Sequence, residues 1–589
     1  MSNTEIAKLL KNIATAYTVK NENKFKFQII AYQKASEAIA NLNGELMEYY
    51  KENKLDKIPG IGPTLKSHLI ELFKKGGVRH FDWVLKGVPK SVFVLTDIPT
   101  FGPKKAFKLV SMFNLHDPKT VVNDLEKIAK ENKISKLEGF GEKSQEDILK
   151  AIEEFRLGKG KTTRMTLPYA FRVAQKIAEY LYSNKNVLKA EALGSLRRRV
   201  STIGDIDFAV ATNNPKKVID HFVSYPHTER IIEKGEVSAS ILISGGRQID
   251  LLIQPEESFG SLLQHFTGSK EHNVHLREYA LKKCLSLSEY GIKYLKTKNK
   301  KLQKFAKEDD FYKAIGLSWI PPELRENTGE IELAVKNKIP ILVELKDIKG
   351  DFHVHSSFPI EPSHDLGQNS FEDMIKKAIS LGYEYIGFSG HNPSISKHSN
   401  NDIYKLLIKR DNELEKLKKK YKNVRIFKLL EVDILPNGDL AIDNKCLQLL
   451  DGAIVSVHSV FNMDKDKMTK RILNGLSHKK AKIFAHPTGR MIDSRSGYEA
   501  NWNEIFTFAK KTSKALEINA WPTRLDLPDN LVRIAKNMGV KFAINTDSHD
   551  VSHMDNMKFG VSVARRGWAT KNDILNTMGY NDMANWFKK

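Results

Sequence analysis

The chain has 589 residues, 94 Lys and Arg against 71 Asp and Glu, and a formal net charge of +23, a balance that draws polyanions such as nucleic acid. At roughly 150 residues per domain the length predicts about four folded units. No apolar run approaches the roughly 20 residues of a membrane span and the polar start MSNTE is no secretory signal. Cys284 and Cys446 are too few for a disulfide framework or a thiolate zinc site, so a cytoplasmic protein with free thiols is expected.

Residues 1–158 carry apolar residues at helical spacing, as in Ile6-Leu9-Leu10-Ile13, and within them one pattern returns at Leu55–Gly76, Leu95–Leu115 and Ile134–Phe155. Each copy reads as a short helix, a glycine-containing hairpin and a second helix. The glycines Gly60, Gly62, Gly102, Gly139 and Gly141 permit the tight turns, and the free amides at the start of the second helix suit a phosphate. These copies resemble helix-hairpin-helix motifs, which grip a DNA backbone without reading bases. The middle copy has Thr100 where the first glycine is expected.

From about residue 159 to 260 strands appear, and GSLRR at 194–198 is followed by GDIDF at 204–208. In an extended strand Asp205 and Asp207 project to one face while Ile206 and Phe208 point into a core. Two such carboxylates suit hard cations such as Mg2+, and a Gly-Ser turn beside arginines suits phosphate oxygens. Asp250, within the apolar run Gln248–Ile253, supplies a third carboxylate, and three can bridge the two ions that nucleotidyl transfer uses. A helical segment then runs to about Pro322, and residues 323–349 lack a clear period and read as a linker.

After Gly350 strands and helices alternate, which predicts a parallel sheet or barrel. Polar residues recur at or near the carboxyl ends of apolar strands: His353, His355, His391, Glu431, His458, His486, Asp547 and His549. Barrel strands converge there, and mixed imidazole and carboxylate ligands suit Zn2+, Mn2+ or Fe2+, two or three ions in number.

Together with LQHFTGSKEHN at 263–273 and Arg277, the motifs GSLRRR and GDIDF closely resemble the family X DNA polymerases, in the bacterial and archaeal branch that carries a C-terminal PHP domain. The resemblance implies a multidomain α+β and α/β chain. Its parts would be an N-terminal helical, lyase-like domain at 1–86, helical fingers at 87–158, a nucleotidyltransferase palm with mixed sheet at 159–260, an α/β thumb at 261–322, and a distorted (β/α)7 PHP barrel at 350–589. It also implies that Asp205, Asp207 and Asp250 hold two Mg2+ or Mn2+ ions. Gly194, Ser195 and Arg198 would hold the incoming triphosphate, Phe266 and Gly268 would shape the sugar pocket, Asn273 would touch the base, and Arg277 would sit against the template.

In the barrel the resemblance implies a ninth ligand, His364, with Asp365 as the alternative, while Gly390 replaces an Asp common in the family. The lyase activity of some members transfers poorly: His68 stands at the Schiff-base lysine position, and Lys66, two residues away, does not share its helix face. The expected function is filling short gaps in base excision repair with dNTPs on gapped or primer-template DNA, and trimming 3' ends with a barrel metal centre that also suits opening of abasic sites. The protein is expected to act as a monomer at the nucleoid. Two other readings are a barrel that is only a structural or regulatory metal module, and a template-independent nucleotidyltransferase.

Overall fold

The computed structural model describes residues 1–589 apart from 2, 41–45, 59, 99–100, 157–163, 244–246, 297–301 and 493. Thr100 therefore lies outside the described residues, as does the junction at 158/159.

The described residues up to 156 form helices joined by turns, and their buried side chains, from Ile6 and Leu10 through Leu69 and Leu109 to Ile152, form one apolar cluster. The three repeats share a local geometry. In each, an amide reaches back three residues, Ile61 N to Ile58 O at 3.1 Å, Phe101 N to Ile98 O at 3.2 Å and Phe140 N to Leu137 O at 3.0 Å. A helix then starts at Pro63, Pro103 or Glu142, directly after Gly62, Gly102 or Gly141. Proline is suited to that first position because its missing N–H would have no helical partner. Gly60 and Gly139 both take left-handed backbone, with φ of 79° and 83°, which is why glycine stands there.

The next unit is a five-stranded mixed sheet in the order Lys189–Ala192, Ile206–Ala211, Arg247–Gln254, Ser238–Ile243, Thr228–Lys234. Its central pair, Ile206–Ala211 and Arg247–Gln254, is parallel. The helices Leu167–Tyr182 and Pro215–Val223 bury Ile177, Leu181, Val218 and Phe222 in the sheet's core.

The segment up to Pro322 is not wholly helical, contrary to its apolar spacing. After the helix Lys270–Lys282, a three-stranded antiparallel sheet is built from Leu285–Ser288, Gly291–Tyr294 and Leu302–Gln303. These strands are too short to establish an alternation that a sequence window can detect. Residues 323–349, expected as a linker, carry the helix Glu330–Val335, and their Leu324, Ile331, Ala334 and Leu342 pack with Phe311, Tyr312 and the barrel's Trp568.

Seven parallel strands follow in chain order, Gly350–Val354, Tyr385–Phe388, Arg425–Asp433, Gly452–Ser456, Ala481–Phe484, Ala515–Asn519 and Lys541–Asn545. A parallel bridge between Val354 and Ser548 brings the first strand back to the end of the last, giving a nearly closed (β/α)7 barrel. Most strand residues are buried on both faces, as parallel strands sandwiched between helices and a barrel interior must be. Inside, Phe352, Tyr385, Phe427 and Leu429 stack with Met583 and Phe587 of the C-terminal helix Tyr580–Lys588, which plugs the end opposite the strand carboxyl termini. The barrel and the mixed sheet share one apolar cluster, joined through contacts such as Phe171 against Phe559 at 5.7 Å.

One buried ion network ties the mixed sheet's unit to the segment after it. Glu308 accepts from Arg325 Nη1 at 2.6 Å, from Arg197 Nη1 and Nη2 at 2.9 and 3.0 Å, and from Trp319 Nε1 at 2.9 Å. Burial would raise this carboxyl, but Arg325 and Arg197 outweigh it and hold Glu308 well below the usual carboxylate range. Its stabilisation is therefore full above the ordinary carboxylate pKa and is lost as pH falls toward the depressed value. Glu308→Gln leaves the fully buried Arg325 without a counter-charge. A loss of about 3–5 kcal/mol is expected, read as a lower urea midpoint at neutral pH.

Candidate metal centres

Parallel pairing sets Asp207 directly opposite Asp250, and Asp205 precedes the same strand, so that one oxygen from each carboxylate lies within 4.8 Å of the others. Ile206 and Phe208 between and beyond them are fully buried. Burial, then Asp205 and Asp250, push the Asp207 carboxyl up to about 7. A carboxyl held toward its neutral form by neighbouring carboxylates is one that a cation between them would ionise, which fits the divalent ions expected there. Ser240 Oγ donates to Asp250 Oδ1, and Gln248 Nε2 lies 3.0 and 3.1 Å from its two oxygens, so this carboxylate is oriented in advance.

The Gly-Ser turn lies against the same carboxylates. Gly194 has φ of 55°, and a Cβ there would sit 2.8 Å from Asp207 Oδ2, so a side chain is excluded on two grounds. Ser195 is half-buried within the short helix Gly194–Arg197, and Arg198 ends it. Arg198 donates Nε to Glu326 Oε1 at 3.0 Å and Nη1 to the carbonyl of Thr267, next to Gly268. Asn273 donates to His265 O at 2.7 Å and accepts from Gln264 at 3.0 Å. The half-buried Phe266 ring lies 4.8 Å from that of His265. Arg277 is exposed, one helical turn beyond Asn273 on the same face of Lys270–Lys282. The hairpin glycines Gly60, Gly62, Gly102, Gly139 and Gly141 belong to the separate helical unit. There His68 accepts or shares a proton with Tyr32 Oη at 2.8 Å, while Lys66 is paired with Asp56 at 2.8 Å.

At the barrel mouth the expected ligands form overlapping groups. His353, His355, Glu431 and Asp547 make one, His355, His391 and His549 a second, His391, Glu431 and His458 a third, and His364, Asp433 and His458 a fourth. His391 and Glu431 are bridged in parallel register, which places their side chains at one level. His486 lies outside these groups but 2.8 Å from Glu431 Oε1. Asp547 and His486 both take positive φ, 54° and 28°, turning their side chains off the strand path.

Both alternatives for the ninth position reach this mouth. His364 Nε2 lies 3.2 Å from Asp433, and Asp365 Oδ1 lies 3.2 Å from His391 Nε2 and 3.5 Å from His549 Nε2. Asp433 was missed in the sequence, although its position two residues after Glu431 on one strand gives it the same face. Glu517 was also missed. It accepts from His353 Nδ1 at 2.8 Å, from the His486 backbone amide at 2.7 Å and from Asn545 at 2.9 Å, and so orients the His353 imidazole from behind and holds the backbone at His486.

The buried ring nitrogens test whether ions fit. Both nitrogens of His355, Nδ1 of His391 and His486, and Nε2 of His549 make no hydrogen bond of acceptable geometry, although carboxylate oxygens lie close. A buried imidazole nitrogen left without a hydrogen-bond donor is one that a bound cation would satisfy. Burial and His549 lower the His355 imidazole to about 3, so it is neutral and ready to ligate. Burial would also lower His458, but Glu431 and Asp433 outweigh it and lift that imidazole to about 9. Burial would raise Glu431, yet His391, His353 and His458 hold it well below the usual range. Imidazolium and carboxylate thus compensate one another in the cluster, and a bound cation would take the place of the imidazolium protons.

The chain is 34% identical to the "DNA polymerase/3'-5' exonuclease PolX" of Bacillus subtilis (strain 168), over the full length of both. It belongs to the PolX family. Residues 262–326 match the DNA polymerase beta thumb and residues 1–78 a helix-hairpin-helix domain. DNA polymerase lambda of Rattus norvegicus is 22% identical over 55% of this chain and 56% of its own. A probable phosphatase of Thermoanaerobacter sp. (strain X514) is 26% identical over 38% of this chain and 89% of its own length, in agreement with a C-terminal PHP barrel. The family is that of family X DNA polymerases with 3'-5' exonuclease activity, and it depends on divalent metals and binds DNA.

Mn2+ added to metal-free protein at pH 7.5 should release protons, because the His458 imidazolium, with its pKa near 9, must give up its proton to ligate. Calorimetry in two buffers of different ionisation enthalpy reads the release, and the Tm should rise with Mn2+. Equal heats in both buffers and an unchanged Tm would contradict the site.

Proposed function

We propose that the chain fills short gaps in DNA by templated nucleotidyl transfer in the palm and trims 3' ends in the PHP barrel, within base excision repair. The observation that carries this reading is the presence of two separate ligand cages in one chain, an all-carboxylate one and a mixed imidazole and carboxylate one. Hard Mg2+ or Mn2+ suits the first, and two or three Mn2+, Zn2+ or Fe2+ ions suit the second. When bound, such ions acidify an attacking hydroxyl or water and neutralise charge on the departing group.

The residues then divide the work. Asp205, Asp207 and Asp250 form the palm cage, and Asp250, oriented by Ser240 and Gln248, lies ready to accept the primer 3'-hydroxyl proton. Ser195 and Arg198 hold the triphosphate of a dNTP at the Gly194 turn. Phe266 and Gly268 shape the sugar pocket, Asn273 meets the base, and Arg277, exposed on the same helix face, meets the template. The three hairpins hold the DNA backbone through the amides that open their second helices. In the barrel, His353, His355, His391, Glu431, His458, His486, Asp547 and His549, with His364 on the outer side, form the cage and orient a phosphodiester. We further propose that the protein works as a monomer at the nucleoid.

A time course on 5'-labelled gapped DNA with dNTPs and Mn2+ tests the division. Asp205→Ala should lose extension by at least about a hundredfold and keep 3' trimming, since each 1.4 kcal/mol of lost stabilisation is about tenfold. His355→Ala should do the reverse. Trimming that survives in His355→Ala would place the nuclease elsewhere, and extension confined to an RNA primer end without template would overturn the templated reading.

The same protein should give no borohydride-trapped adduct with a 5'-deoxyribose phosphate end. His68 cannot form a stable imine, and the Lys66 amine is paired with Asp56. A trapped adduct mapping to the first 86 residues would contradict this.

A further inference from the structure

The run Arg197-Arg198-Arg199 sends its three guanidinium groups to three different neighbours. Arg197 enters the buried Glu308 network. Arg199 lies over the Phe171 ring at 4.6 Å, and the barrel's Lys558 meets the same ring at 4.9 Å. Arg198 lies between Gly268, where a Cβ would come within 3.0 Å of its Nη1, and Glu326.

Glu326 is not Arg198's alone. The same oxygen, Oε1, accepts from Arg566 Nη1 at 2.9 Å, and Arg566 stands at the end of the barrel helix Met557–Arg566. Arg566 Nη1 also donates to the backbone carbonyl of Arg198 at 2.9 Å, and its Nε pairs with Asp529 at 2.7 Å. The Arg566 side chain is only 9% exposed, so these contacts are shielded from competing water.

We propose that Arg566, although it belongs to the nuclease barrel, is a positioning residue for the polymerase nucleotide site. The inference rests on the reading of Arg198 as a triphosphate ligand. Two physical effects carry it. Arg566 caps a carbonyl at the end of the Gly194–Arg197 helix and so fixes the turn that presents Ser195 and Arg198. It also shares the Glu326 carboxylate, which would otherwise be left wholly to Arg198 and would compete with a triphosphate for that guanidinium. Asp529 balances Arg566 in turn, so the four side chains form two compensated pairs across the joint between palm and barrel.

Steady-state single-nucleotide insertion on gapped DNA by the full chain tests this, with 3'-5' trimming of single-stranded DNA and Tm measured on the same preparations. Arg566→Met should raise the KM for dNTP about ten- to a hundredfold, the effect of losing hydrogen bonds to charged groups, with kcat within about twofold and trimming within about twofold. Arg566→Lys keeps the charge beside Glu326 and should recover at least half of that loss on a logarithmic scale. An Arg566→Met KM within twofold of wild type, or a parallel fall in trimming and insertion, would overturn the proposal. So would an Arg566→Lys variant as impaired as Arg566→Met.

Arg198→Met separates the two readings. If it raises the dNTP KM while Arg566→Met does not, the positioning role alone fails. If Arg198→Met leaves the KM unchanged, the triphosphate reading fails and takes the positioning role with it.

Discussion

Parallel strand register is the constraint on which both cages depend. Within a parallel pair, residues at matching levels project to the same face, so a polar residue on one strand meets its counterpart on the next without any local contact between them. In the palm this sets Asp207 beside Asp250, two residues far apart in the chain. In the barrel it sets His391 beside Glu431, and the turn of seven strands around an axis brings His353, His458 and Asp547 to the same mouth. A slip of one residue in either sheet would send every ligand to the opposite face.

Gathering like groups has an electrostatic cost, and the two cages meet it differently. The palm cage is all carboxylate and half open to solvent, and its strain is visible in an Asp207 carboxyl pushed toward neutrality by burial and by its neighbours. The barrel cage is buried and offsets its charge internally, with Glu431 lowered and His458 raised against one another. An all-oxygen cage half open to solvent suits ions that exchange. A buried cage of imidazoles backed by Glu517 suits ions that stay.

The units are also less separate than a chain of beads. The palm and barrel share an apolar cluster, the segment 323–349 packs its own helix against Trp568 of the barrel, and arginines from the palm and the barrel meet on Glu326. Charged residues at such a joint fix orientation more than they add stability, because each guanidinium needs a carboxylate in a defined place.

Much of this was legible in the sequence. The hairpins could be read because their geometry is local: in the first and third, a glycine in left-handed backbone and a helix start three residues later are written within a few positions. The ligand types could be read because donors at strand ends have few other uses, and the barrel could be read from the alternation of strands and helices. Residues 285–303, read as helical, were not legible because their strands are two to four residues long and pair only with one another. Glu517, Glu326 and Arg566 were not legible either, since as single charged residues they carry no partner in the sequence. Their roles arise where strands, loops and helices distant in the chain come together, and the distances that make a carboxylate a ligand, an orienting group or a shared counter-ion exist only after the barrel has closed against the palm.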